Sequence, residues 1–236
     1  KWEETPTWNA GFDFAFLNNR ITASVAYYFR KTKDLLSFVT VPIGSTTSNM
    51  MNQNIGTLEN KGIEFSITAR PVVTKDFTWT VNYNVAYNKN EITNLSNDGS
   101  YVPIGGISDP TCSTSQVHAV GHPAYSFYLY EHVYVAAGKP VEGVYVDQNG
   151  DGVINDDDRV LRYQKDPKVT MTMSNTFNYK NWDLGFVLRA NLGAKVYNNV
   201  LAQRTVLNRT YQNTHLSNLV ENDVYFTGET NANLYY

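Results

Sequence analysis

The residues with the clearest chemistry are 147–158, where the chain reads Asp-Gln-Asn-Gly-Asp-Gly-Val-Ile-Asn-Asp-Asp-Asp. This follows the calcium-loop pattern D-x-[DN]-x-[DN]-G, with Asp147, Asn149 and Asp151 at its first, third and fifth positions. Gly152 supplies the sharp turn, and Val153 offers a carbonyl at the seventh position. Ile154 takes the place of the apolar anchor. Asn155 can ligate directly or through water, and Asp158 stands where a longer Glu is common. Oxygen donors on alternate residues suit a hard cation, because a curled loop turns them toward one centre. The shorter Asp at the closing position predicts weak structural calcium binding, in the range of about 10⁻⁴–10⁻³ M. No helical pattern flanks the loop, so a helix–loop–helix switch is not expected. An acidic Asn/Gly-rich turn that binds nothing has the same composition, and that alternative stays open.

Other chemistry is sparse. His118, His122, His132 and His215 fall in irregular segments, which predicts solvated side chains. Neither G-x-S-x-G nor H-E-x-x-H occurs, so an enzyme such as a membrane hydrolase is not expected. The single cysteine, Cys112, excludes an internal disulfide framework and a cysteine-rich metal site. A net charge of −3 gives no nucleic-acid footprint. Tyr125, Phe127, Tyr128 and Tyr130 offer rings for stacking on sugars, but their alternation fits a short loop strand better.

What must position these groups is a set of six strictly alternating segments, at 7–17, 21–30, 62–70, 77–88, 169–179 and 182–192. In 77–88, Phe77, Trp79, Val81, Tyr83, Val85 and Tyr87 share one face, and Thr78, Thr80, Asn82, Asn84, Ala86 and Asn88 the other. Each segment is long enough to cross a bilayer, which takes a tilted strand of about 9–11 residues. Asp13, Glu64, Arg70, Asp183 and Arg189 all lie on the polar face. Trp8, Phe29, Trp79, Tyr87, Tyr179 and Trp182 stand at the ends of the apolar series, like interface girdles. Only 17% of residues are charged, 14% are aromatic, and 17 residues are Tyr. No run approaches the length of a membrane helix.

The links add an independent argument. Short ones, at Asn18-Asn19, 71–76 and Lys180-Asn181, join the segments in pairs. Long irregular stretches follow the second, fourth and sixth segments, at 31–60, 94–165 and 193–236. In an antiparallel meander this puts every short link on one side and every long one on the other, as outer-membrane barrels do. The expected fold is all-β, a segment of an antiparallel transmembrane β-barrel. Six strands leave two bare edges, which lipid does not tolerate, so the segment belongs to a larger barrel. The opening Lys1-Trp2-Glu3 likewise reads as the interior of a longer chain.

Several segments carry a family resemblance: Lys1-Trp2-Glu3-Glu4-Thr5, Lys31-Thr32-Lys33-Asp34-Leu35-Leu36, Asn54-Ile55-Gly56, and Glu59-Asn60-Lys61-Gly62-Ile63-Glu64-Phe65. Asp76-Phe77-Thr78-Trp79, Asn88-Lys89-Asn90-Glu91-Ile92, Val120-Gly121-His122-Pro123, the 147–158 loop, Asp166-Pro167-Lys168 and Val196-Tyr197-Asn198 continue it in order. Together they resemble the C-terminal barrel part of SusC/RagA-type TonB-dependent transporters of the bacterial outer membrane. A difference is Val169-Thr170-Met171 after Lys168, where the family often has a second proline and glycines. The resemblance implies that residues 1–236 are part of a barrel of about 22 strands, with the plug domain, TonB box and final strands outside this sequence. It also implies active import of oligosaccharides or peptides, a SusD-like surface lipoprotein as partner, and TonB as the energy source. The competing class is a structural barrel serving as a platform in a secretion or motility assembly.

Overall fold

A computed structural model of the chain describes residues 1–40, 50–95, 101–104, 115–134 and 140–199. Its strands are β1 (Thr7–Phe16), β2 (Ile21–Thr40), β3 (Met50–Val73), β4 (Phe77–Leu95), β5 (Tyr101–Ile104), β6 (Gln116–Ala119), β7 (Ser126–Leu129), β8 (His132–Tyr134), β9 (Pro140–Tyr145), β10 (Val160–Tyr163), β11 (Val169–Tyr179) and β12 (Trp182–Leu192). The six expected segments all lie in one antiparallel sheet, ordered β1-β2-β3-β4-β11-β12. The shorter strands form a four-stranded sheet, β10-β7-β6-β5, and a hairpin, β8-β9. The stretch 94–165, expected to be irregular, therefore holds all six of the described small strands. Their three to six residues are too few for alternation to stand out.

The chain divides into two compact units. One contains Lys1–Val102, His118–Ala124 and Gln164–Lys195; the other contains Pro103–Val117, Tyr125–Tyr163 and the residues from Val196 on.

In the first unit the three short links share one end of the sheet. The Arg70 N–H donates to the Arg20 carbonyl, and the Lys180 N–H to the Asp76 carbonyl, tying neighbouring turns together. The first turn is wider than the Asn pair: Leu17 adopts positive φ as well as Asn18 and Asn19. Outward residues line up across strands, as in the row Phe14, Ala23, Ile67, Tyr83, Met173 and Leu188. On β11 the apolar series runs from Tyr179 to Val169 in two-residue steps. That length is about 34 Å of strand, or about 25 Å of height at 45° tilt, the height of a barrel's apolar band. Asn175 interrupts the series, but it is buried and accepts a hydrogen bond from Trp79 Nε1 at 3.1 Å. Phe177 stacks on Trp79, Phe77 and Phe186 around it.

The stretch 31–60 is not the irregular loop its composition suggested. β2 continues to Thr40 and β3 starts at Met50, pairing well past the end of β1. Two bulges obscure the pattern: one extra residue on β2 between Thr32 and Leu35, and one on β3 at Ile55. Asp34 has φ 55° at the first, and at the second a Cβ on Gly56 would lie 2.0 Å from the Asn94 carbonyl oxygen. Each bulge flips side chains to the opposite face, which hides alternation. The free flanks of this extension are partly covered. On the β2 side Glu4 and Lys33 exchange backbone hydrogen bonds. On the β4 side the Ile92 N–H donates to the His122 carbonyl, and the Gly121 N–H to that of Ile92. Leu35, Ile55, Leu95 and Val102 form an apolar cluster here.

Candidate functional site

Two places carry chemistry: the polar face of the long sheet, and the 147–158 loop.

The polar face is laced across strands. Ser24 and Ser66 hydroxyls lie 2.6 Å apart, Thr68 donates to Asn82 Oδ1 at 2.7 Å, and Asn82 Nδ2 donates to Ser174 at 3.3 Å. Farther from the short turns, Tyr28 of β2 lies across Gly62 of β3 and donates to Asn88 Oδ1 of β4 at 2.8 Å. Only glycine permits this, because a Cβ at position 62 would stand 2.6 Å from the Tyr28 hydroxyl. Around that tyrosine is an open hollow of about 610 Å³, lined by Asn9, Gly11, Arg30, Asn60, Glu64 and Asn88 among others. Small residues make its floor, and exposed Arg30 and Glu64 give it one charge of each sign.

In the second unit, the 147–158 loop is organised by its own side chains. Asp147 accepts from the N–H groups of Gly150 at 2.6 Å and Gly152 at 2.8 Å. Asn149 Oδ1 accepts from Asp151 N–H, and Asp151 Oδ1 from Val153 N–H. Asp158 is fully buried and accepts from Gln148 and Asn155 N–H, both at 2.8 Å. The Asn155 N–H does most to hold its carboxyl below the usual 3.8; burial opposes this, and the Gln148 and Asn149 N–H groups add to it. Asn155 caps the 3₁₀ turn Asp156–Asp158 in a reciprocal box with Asp158. The pattern Asn-x-x-Asp was the available signal for that box.

Oxygen donors of this kind fit a hard cation, since one N–H per carboxylate oxygen leaves further lone pairs. The six predicted residues do share one curled loop. Among the described residues, however, no three His, Cys, Asp or Glu side chains are gathered to hold a metal. Ile154 is not the buried anchor expected: it is 43% exposed, and Val153 60%. The loop is anchored instead by residues the motif does not include. Arg159 is buried, pairs with Asp156 at 3.2 Å and lies 4.4 Å over the Tyr128 ring. Tyr128 donates to the Asp156 carbonyl and Tyr130 to its carboxylate. Tyr128 thus sits in β7, as its alternation predicted, and its ring is occupied by Arg159.

His118 also departs from expectation. It lies buried in β6 rather than in solvent, and burial, helped by nearby Lys165, pushes its imidazole down to about 4. Cys112 and His215 lie outside the described residues.

The family model described as "TonB dependent receptor-like, beta-barrel" matches residues 1–236. The chain belongs to the TonB-dependent receptor family. Barrels of this family are outer-membrane proteins, so the six-stranded sheet is a membrane wall with an apolar lipid face and a polar lumen face. The chain is 45% identical over 229 residues to the TonB-dependent receptor SusC of Bacteroides thetaiotaomicron, covering 95% of this chain and 22% of that protein. It is 34% identical over 218 residues to the TonB-dependent receptor P3 of Formosa agariphila, covering 86% and 22%. It spans about a fifth of the length of these curated relatives. In fold it matches the RagAB peptide transporter with a TM-score of 0.69 and 23% identity, over 92% of this chain and 25% of that one. Both curated relatives carry the name of TonB-dependent receptors, not of an enzyme.

Proposed function

We propose that this chain supplies wall and extracellular loops to a TonB-dependent importer of oligosaccharides or peptides that works with a SusD-like surface lipoprotein. The observation that carries this is 45% identity to SusC along 95% of the chain. The lumen face supports it physically. Its Ser, Thr and Asn side chains bond to one another, so a hydrated cargo passes a wall whose polar groups are already satisfied. The hollow beside Tyr28 offers amides, a guanidinium and a carboxylate, groups that bind hydroxyls or peptide termini. Both cargo classes follow from the SusC/RagA resemblance alone, and RagAB, at 23% identity, supports the fold. TonB acts through parts of the full protein outside this segment.

The test is uptake by cells lacking the full-length gene, with and without a complementing copy. Loss of growth on one glycan or peptide source, restored only when TonB is present, is the expected result. Unchanged uptake, with the barrel instead co-purifying with a secretion or motility complex, would overturn it.

The same reading includes a structural calcium ion on the 147–158 loop. Asp147, Asn149, Asp151, the Val153 carbonyl, Asn155 and Asp158 would hold it. The ion would neutralise the acidic loop and fix its fold outside the membrane. Calcium titration of the full protein and of D151A tests this. Wild type should gain loop amide protection at about 10⁻⁴–10⁻³ M calcium; an identical response from D151A would remove the site.

A further inference from the structure

We infer that Arg30 and Asn60 form a subsite on the lumen wall for a carboxylate carried by the cargo. The inference rests on the transport reading and adds a chemical requirement to it.

The two residues lie in one row across the sheet. Thr7, Arg30, Asn60 and Asn90 stand opposite one another on β1, β2, β3 and β4. Alternation places Arg30 on the same face as Tyr28, and Asn60 on the same face as Glu64. Both residues line the open hollow of about 610 Å³.

A chain of hydrogen bonds fixes which way the Asn60 amide is turned. The Ala124 N–H can only donate, so it takes the oxygen of Asn90, at 2.7 Å. Asn90 Nδ2 then faces β3, where it donates to Asn60 Oδ1 at 2.6 Å. Asn60 Oδ1 is thereby committed toward β4, and its Nδ2 is the end that remains. Among the described residues that Nδ2 has no acceptor. Arg30, on the β2 side of the same row, is exposed and has no hydrogen-bond or ion-pair partner among them.

An exposed arginine by itself is hydrated and marks nothing. Here it stands beside an amide locked with its donor end unused. A guanidinium has donors only, and so has the Asn60 nitrogen. An ionised carboxylate has acceptors only, and it meets a guanidinium in a two-pronged pair. A neutral hydroxyl accepts as well, but it brings a proton for which neither group has an acceptor. Glu64 sets the direction of the ligand. It lines the same hollow four residues along β3 from Asn60, about 14 Å of strand toward the short turns. A ligand with one carboxylate at its end fits that spacing, as a peptide C-terminus does. A run of uronic acids would bring further carboxylates toward Glu64.

The experiment uses the full-length protein in detergent micelles and isothermal titration calorimetry. The probes are tetra-alanine, its C-terminal amide, trigalacturonate and maltotriose. Wild type should bind tetra-alanine about tenfold or more tightly than the amide. R30Q should abolish that preference. N60D should abolish it too, because it keeps an oxygen for Asn90 and sets a second beside Arg30, filling the subsite from within. R30K, which keeps the charge and loses the fork, should retain part of it. Equal binding of tetra-alanine and its amide by wild type, or an unchanged preference in R30Q and N60D, would overturn the subsite. Tighter binding of trigalacturonate than of tetra-alanine would overturn the peptide end as the source and assign the carboxylate to an acidic sugar. Maltotriose bound as tightly as either acid would overturn the requirement for a carboxylate. Heat-modifiable migration reports barrel folding; if N60D does not fold, R30Q and R30K are compared with wild type. Uptake separates the two readings. Cells complemented with wild type that import only a neutral glycan through TonB would lose the subsite and keep transport, whereas cells that import nothing would lose the transport reading itself.

Discussion

The membrane wall and the 147–158 loop solve the same problem, satisfying polar backbone, at opposite densities of contact. In the wall, β2, β3, β4 and β11 each have a strand on both sides, and where both neighbours are present the ladder supplies the backbone donors and acceptors. Side chains there mainly decide which solvent each face meets. The loop has no ladder. Its N–H groups turn inward onto five side chains, Asp147, Asn149, Asp151, Asn155 and Asp158, and the whole rests on Arg159 against Tyr128. Stability is distributed in the wall and concentrated in the loop, so the two should fail differently.

The largest effect is expected on the lipid face. Leu188 lies outward and 59% exposed in the middle of the apolar band. Leu188→Arg should cost about 2–4 kcal/mol of barrel stability in bilayers, measured by denaturant unfolding, whereas Thr172→Arg on the lumen face should cost far less. Equal costs would mean the faces are assigned wrongly. Next comes Gly62→Ala. Its Cβ would meet the Tyr87 carbonyl oxygen at 2.4 Å as well as the Tyr28 ring, so about 1–3 kcal/mol should be lost. Pairing it with Tyr28→Ala should recover little, because the backbone contact remains.

The loop should break at a single residue. Asp158→Ala should lower hydrogen-exchange protection at Gln148 and Asn155 by about tenfold or more while leaving the wall unchanged. Its pH dependence has a fixed sign. A carboxyl held below 3.8 contributes stability above that pH, lost as pH falls through the folded value, so the loop should stay intact at pH 5 and open only below 3.8. His118 shifts the other way relative to its charge. It is neutral when folded and takes up a proton when unfolded, so its surroundings should weaken as pH falls from 6.5 to about 4. His118→Phe should remove that window, measured by exchange at β6 amides. The smallest effect is expected at Trp79→Phe, which takes the donor from Asn175 and should cost about 0.6 kcal/mol, typical of one hydrogen bond facing lipid.

The same contrast explains what could be read from residues alone. Alternation exposes the wall because every second side chain repeats one instruction, and all six membrane strands follow from it. It failed at 31–60 because the bulges at Asp34 and Ile55 reverse the faces within a few residues. In the loop, residue types and spacing identified the polar scaffold. Arg159 and Tyr128 stayed hidden because their contact joins residues 31 positions apart, and no local period encodes such a pairing. His118 was read as solvated because nothing in Gln116-Val117-His118-Ala119 shows that both faces of that short strand are covered.

The two bulges on β2 and β3 have a further consequence. Each adds one residue to its own strand, so above them the pairing returns to the register it had below. Beyond the bulges the hairpin therefore stands on the same register as the sheet below it. Changing its length or twist there would leave the β2–β3 pairing of the wall untouched. The fold thus has a joint at which the end of one hairpin can vary while the sheet beneath it stays as it is.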